Sequence, residues 1–248
     1  MTLYQAELKY YLRSPIIWLI VAVSAFIAAW SFLLSIELFT ALQVKFAAMS
    51  DAPTIVQGIV FPLISAQSKL LILIVSIVAG LSFARLSHNN SWPLISSAQI
   101  TDWKIIQHKY LAILLICLIF ILPTVIAILS LVLIVGLQFL PVFIALVGLL
   151  LLLFWMLALG LLLSSLVNNT GFAILLCIVV FMLFWLLSQS SIDAQWGKNW
   201  IQVFSPFYHF KQFTSDYIPF SSIFYFVVGM ALCLWATKIR LIQKRYYL

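Results

Sequence analysis

Residues 142–187, VFIALVGLLLLLFWMLALGLLLSSLVNNTGFAILLCIVVFMLFWLL, decide the fold. Two apolar runs, Val142–Leu166 and Gly171–Leu187, are separated only by Val167-Asn168-Asn169-Thr170, and neither run holds a charge. A hydrocarbon core about 30 Å thick takes roughly 20 helical residues at about 1.5 Å each. The pair therefore reads as two membrane-spanning helices joined by a turn. Working outward, Pro15–Ile36, Phe61–Ala84, Tyr110–Val135 and Phe220–Thr237 repeat the pattern and bring the number of runs to six. The expected fold class is an all-α polytopic membrane protein of six transmembrane helices, forming a single membrane domain over residues 1–248.

Composition agrees. Hydrophobic residues make up 65% of the chain, charged residues 8%, and the mean hydropathy is +1.20. Soluble domains carry about 25% charged residues, so a soluble fold is excluded. The stretches between spans are too short to bury a core of their own. The net charge of +7 reads as a topology signal and not as a nucleic-acid footprint. Lys9, Arg13, Arg85, Lys104, Lys109, Lys238, Arg240, Lys244 and Arg245 fall on one side, against Lys45, Lys69, Lys198 and Lys211 on the other. The positive-inside rule then places both termini in the cytoplasm. The first run exceeds a signal-peptide core and lacks a small-residue cleavage site, so it is read as a retained span.

Residues 1–14 place Tyr4, Leu8, Tyr11 and Leu12 on one helical face, with Lys9 and Arg13 toward the other. That pattern suits a short elbow helix in the membrane surface, its basic residues reaching lipid phosphates. Ser14-Pro15 supplies a cap and a first-turn proline for the first span. The inner loop, residues 85–109, carries two helix starts, Asn89–Ser91 and Thr101-Asp102, whose side chains can cap short helices. Trp92, Leu94 and Ile95 give the first an apolar surface, with Arg85, Asp102 and Lys104 around it. The loop is either a docking element for a cytoplasmic partner or a turn that touches only its own bundle. The outer loop, residues 188–219, is dense in Trp196, Trp200, Phe204, Phe207, Tyr208, Phe210 and Phe213, which fits interfacial helices packed on the bundle.

Chemistry-bearing motifs are scarce. The chain has no phosphate-binding loop, no HExxH and no GxSxG, so no catalytic residue is assigned and no enzyme activity is expected. Cys117, Cys177 and Cys233 sit in three different spans without ligand spacing to a histidine, so no metal site is assigned either. Buried ionisable groups mark ion-coupled transporters. Here the acids fall in loops or at span ends, and Lys69, one or two turns inside the second span, is expected to snorkel outward. Ser65, Gln67, Ser68, Lys69 and Ser76 make the outer half of that span polar, either to line a path or to satisfy neighbouring helices. Small residues at packing distance, Ser24 and Ala28, Ala25 and Ala29, Gly160 and Ser164, let helix backbones approach closely. Of these, Ala25 and Ala29 are the candidate subunit contact.

Four segments carry a resemblance. ELKYYLRSP before the first span, FARLSHNNSWPLISSAQITDWKIIQHKYLA between the second and third, GLLLSSLVNNTGFA between the fourth and fifth, and FSPFYHFKQFTSDYIPFSSIFYF before the last resemble the ABC-2 type permeases. The last is most similar to the gliding-motility (GldF-like) branch. In the second segment Arg85, Leu94, Ser96, Ser97, Asp102 and Lys109 fall at matching positions, while Ala98 and His108 stand where the family has proline and glycine. The resemblance implies an ABC-2 exporter fold in a bacterial inner membrane, and a permease that pairs with a second subunit, itself or a paralogue. It implies a cytoplasmic ATPase docked at 85–109, with ATP and magnesium bound on that partner and no cofactor in this chain. The gliding-motility branch adds a periplasmic-domain accessory protein as a partner. It also adds an alternative function, a non-transporting scaffold for ATPase-driven surface machinery.

Overall fold

The computed structural model describes residues 3–46, 53–88, 101–189, 203–215 and 219–246. Helix α1 (Leu3–Arg13) stops at Ser14, whose N–H donates to the Tyr11 carbonyl at 3.1 Å. Proline at the next position needs no N–H partner there, so α2 (Pro15–Phe46) starts afresh in a new direction. A wide π-helical turn, Val56–Val60, leads into α3 (Phe61–His88). Then follow α4 (Asp102–Val135), α5 (Phe139–Leu166), α6 (Thr170–Gln189), the short α7 (Pro206–Gln212) and α8 (Phe220–Tyr246). Among the described residues, six helices are long and apolar enough to cross a membrane: α2, α3 with its leading turn, α4, α5, α6 and α8. Among the described residues there is no strand. The chain is an all-α polytopic membrane protein.

Most helices outrun their apolar stretches, because hydropathy marks lipid contact and the hydrogen-bonded ladder continues into polar sequence. Helix α2 runs ten residues past Ile36 and α4 starts eight before Tyr110. Helices α3 and α5 form the centre, with α6 against α3, α8 against α5 and α1 against α4. Gly160 sets the α3–α5 distance: a Cβ there would lie 2.7 Å from the Ala79 Cβ. One turn on, the Ser164 hydroxyl donates to the Gly80 carbonyl at 2.8 Å and accepts from the Phe83 N–H at 3.0 Å. The small pair at 160 and 164 does bring two backbones together. Ser24 and Ala28 are buried against the chain's own helices, while Ala25 is half-buried and Ala29 exposed.

Two local expectations need correction or stand apart. Thr101 occupies the cap position of α4 with an extended backbone, but its side chain makes no capping bond; its carbonyl accepts the Ile105 N–H at 3.3 Å instead. The expected helix start at Asn89–Ser91, with Trp92, Leu94 and Ile95, lies outside the described residues, as do Trp196 and Trp200. At the other end of the bundle, α7 buries Phe207 and Phe210, and Phe213 just after it packs against Gly148 of α5. Packing of these aromatics on the bundle is as expected of this segment.

Candidate functional site: an ion-pair hub where the elbow meets the loop-flanking helices

Glu7 lies on the inward face of α1, one turn before Tyr11, and both are buried. That face meets α4 at Lys109, two turns into the helix. The Lys109 ammonium, 1% exposed, lies 2.7 Å from Glu7 Oε1 and donates to the Ser82 carbonyl at 3.1 Å. The second Glu7 oxygen faces Arg85 of α3 at 3.5 Å. The Arg85 guanidinium stacks over the Tyr10 ring, 3.4 Å from its centroid, a cation–π contact. The Tyr11 hydroxyl donates to the Val78 carbonyl at 3.3 Å, and burial pushes its pKa well up, so it remains a donor.

One carboxylate thus joins three helices. Desolvating such charges costs several kcal/mol per ion, and their mutual attraction repays it only when the geometry and the remaining hydrogen bonds are good. Lys109 meets that condition through Glu7 and Ser82; the Nη1 of Arg85 has no acceptor among the described residues. Two further ties lie at this end of the bundle. Asp102, in the first turn of α4, pairs with Arg245 near the end of α8 at 3.3 Å, and Lys244 donates to Asn168 Oδ1 in the α5–α6 turn at 3.1 Å.

The residues singled out from sequence divide cleanly. Arg85 and Asp102 are drawn into ion pairs within the chain. Lys104 is exposed beside Trp103 at the same end. Lys9 and Arg13 are exposed and, with Ala6, Tyr10 and Ser14, line a concavity of about 490 Å³ on the elbow. The expectation that no ionisable group is buried is corrected: Lys109 and Glu7 are, because the elbow folds back onto α4. The available signal was Glu7 itself, an acid within the apolar stripe of Tyr4, Leu8 and Tyr11.

The polar half of α3 also resolves. Gln67 donates to the Phe120 carbonyl at 3.2 Å and accepts from Thr124 at 2.9 Å; the Ser68 and Ser76 hydroxyls bond to carbonyls of their own helix. These side chains satisfy their surroundings. Lys69 alone of the set is exposed. At the opposite end of the bundle from the hub, His209 of α7 is buried, with Nε2 2.8 Å from the Val203 carbonyl and Nδ1 2.9 Å from the Ser222 hydroxyl. Its ring stacks on Tyr225 at 4.1 Å. Burial pushes its pKa down, opposed by the bond to Val203.

Among the described residues, no three His, Cys, Asp or Glu side chains converge as for a metal. What the hub can do is fix the relative positions of α1, α3 and α4. Fold and hub together define a six-span membrane protein whose elbow is locked to both helices that flank residues 89–100. Compared with family models and with curated proteins, the chain matches none.

Proposed function

We propose that this chain is the permease subunit of an ATP-driven exporter of the ABC-2 type, in a bacterial inner membrane with both termini cytoplasmic. In this reading a separate ATPase binds residues 89–100, and ATP binding and hydrolysis on that partner rock the six-helix bundle. Trp92, Leu94 and Ile95 fill an apolar slot on the ATPase, with Lys104 at its rim. A second permease subunit packs along Ala25 and Ala29.

The observation that carries the reading is the hub. A partner seated on the loop pulls on α3 and α4 at the two ends of that loop, and Glu7 binds those ends to each other and to the elbow. Asp102–Arg245 adds α8. A push at one place is therefore delivered to four helices as a unit. The partner shifts the bundle by as much as it binds its two arrangements with different affinity. Buried aromatic and aliphatic anchors dominate such interfaces. The test is a Trp92→Ala/Leu94→Ala variant purified from its native membrane. It should insert normally and lose the co-purifying ATPase; retention of a full complement of ATPase would refute this docking site.

A further inference from the structure

The outward face of α1 carries Ala6, Lys9, Tyr10 and Arg13, and with Ser14 these residues line the elbow concavity of about 490 Å³. Small-ligand sites span about 300–1,000 Å³. Four of the five residues offer hydrogen-bond donors: an ammonium, a guanidinium, and the hydroxyls of Tyr10 and Ser14. Among the described residues, none of these four groups has an acceptor or an acid to pair with. Lys9 and Arg13 stand one turn apart, where like charges repel. The elbow and the side chains it binds hold four cations, Lys9, Arg13, Arg85 and Lys109, against one carboxylate, Glu7, which Arg85 and Lys109 already share. The electrostatic complement of this corner is an anion.

Its place in the chain says which anion. The first membrane-crossing helix starts at Pro15, directly after Ser14. The concavity therefore lies where hydrocarbon gives way to headgroups, a zone about 5–7 Å deep. Along the span, α2 exposes Ile16, Leu19, Val23 and Phe26, a stripe that starts two residues past Ser14. It lies roughly 120° round the helix from Ala25 and Ala29. Free donors at the head of an apolar stripe match a molecule with a phosphate at one end and hydrocarbon at the other. A general surface anchor needs only the two charges; the concavity and the two hydroxyls add shape and directed donors.

We propose that the elbow concavity is a discrete site for one anionic phospholipid of the phosphatidylglycerol kind. Its phosphate sits between Lys9 and Arg13, the Ser14 and Tyr10 hydroxyls donate to the phosphate oxygens, and an acyl chain lies along Ile16, Leu19 and Val23. Arg85 stacks on the Tyr10 ring, so an occupied site also backs the hub. The site rests on the elbow's own residues and not on the permease reading.

The test is native mass spectrometry of the full chain, released from mixed micelles in which phosphatidylglycerol is titrated against phosphatidylcholine. Wild type should retain one phosphatidylglycerol per chain at saturation, in preference to phosphatidylcholine, and the bound lipid should raise the unfolding temperature. Lys9→Gln/Arg13→Gln should raise the half-saturating phosphatidylglycerol fraction on the order of tenfold, while Lys9→Arg/Arg13→Lys should bind as wild type does. An equal loss of charge near the end of α8, Lys238→Gln/Arg240→Gln, should leave retention unchanged. Retention without a plateau, equal retention of the two lipids, or equal weakening by both Gln pairs would mean general attraction to a basic surface and overturn the site. Displacement of the lipid by soluble glycerophosphate at matched concentration would make it a free-anion site and overturn the lipid. High salt before release should strip phosphatidylglycerol from wild type; retention indifferent to salt would overturn the ion contact, which keeps the test decisive if the Lys9→Gln/Arg13→Gln chain folds poorly. No ATPase enters these readouts, so the lipid site and the permease reading fail separately.

Discussion

Replacing Glu7 with Ala tests the hub directly. The substitution leaves the Lys109 ammonium at 1% exposure with the Ser82 carbonyl as its hydrogen-bond acceptor among the described residues, beside the Phe83 ring at 5.3 Å. Removing one partner of a buried pair costs about 3–5 kcal/mol, chiefly because the other charge stays buried. The Arg85 contact is longer, at 3.5 Å with 17% of that side chain exposed, and contributes less than the Lys109 pair. Rehydration through the vacated space lowers the total, so a loss of about 3 kcal/mol is expected. Adding Lys109→Met removes the stranded charge and should return most of it, because apolar replacement of a whole buried pair is often neutral. The assay is reversible denaturant unfolding of the purified chain in mixed micelles, followed by tryptophan fluorescence, over wild type, both single variants and the double. The coupling energy should exceed about 2 kcal/mol. A Glu7→Ala chain within about 0.5 kcal/mol of wild type, or two additive single losses, would show that the hub is not a buried electrostatic unit.

Three other outcomes follow from the packing and the charges. Gly160→Ala forces a methyl to within 2.7 Å of the Ala79 Cβ and should cost about 1–3 kcal/mol in the same unfolding assay; Gly171→Ala, with only Asn169 Oδ1 nearby at 3.5 Å, should be neutral or slightly stabilising. His209 has its pKa lowered in the fold, so the unfolded chain binds the proton first; stability is complete above the ordinary value of about 6.5 and declines as pH falls below it. Limited proteolysis around α7 should therefore accelerate between pH 7.5 and 5.5, and a His209→Gln chain should lose that dependence. Single cysteines at Gln5 or Gln243 should be shielded from an impermeant thiol reagent in intact cells, and one at Thr54 should label; the reverse pattern would invert the orientation and remove the inner loop from reach of a cytoplasmic partner.

The six spans were legible because an unbroken apolar run of the right length has one physical use in a polytopic chain. The elbow face was legible from the spacing of Tyr4, Leu8 and Tyr11, and a close helix approach from Gly160 and Ser164, though not that α3 is the helix it meets. The hub was not, since Glu7 and Lys109 stand 102 residues apart and pattern carries no information on which helix the elbow meets. Lys109 read as the basic end of a loop because α4 begins two turns before its apolar run does. The polar residues of α3 could not be divided from sequence either. Gln67 and Lys69 are two residues apart on opposite sides of one helix, and only the positions of Phe120 and Thr124 decide that one faces inward.

Pro123 gives α4 a property beyond its span. A helix of 34 residues is about 51 Å long, well beyond a hydrocarbon layer of about 30 Å. Proline at 123 removes one ladder hydrogen bond and is the natural bending point. From there to Asp102 is an arm of about 32 Å. A bend of about 10° at Pro123 would sweep the tip through about 5 Å, one full helical pitch. Because Asp102 grips Arg245, the end of α8 would be carried along the same arc. A change of angle too small to disturb packing at the pivot becomes, at the far end of the arm, a displacement of the size that moves one helix past another by a turn.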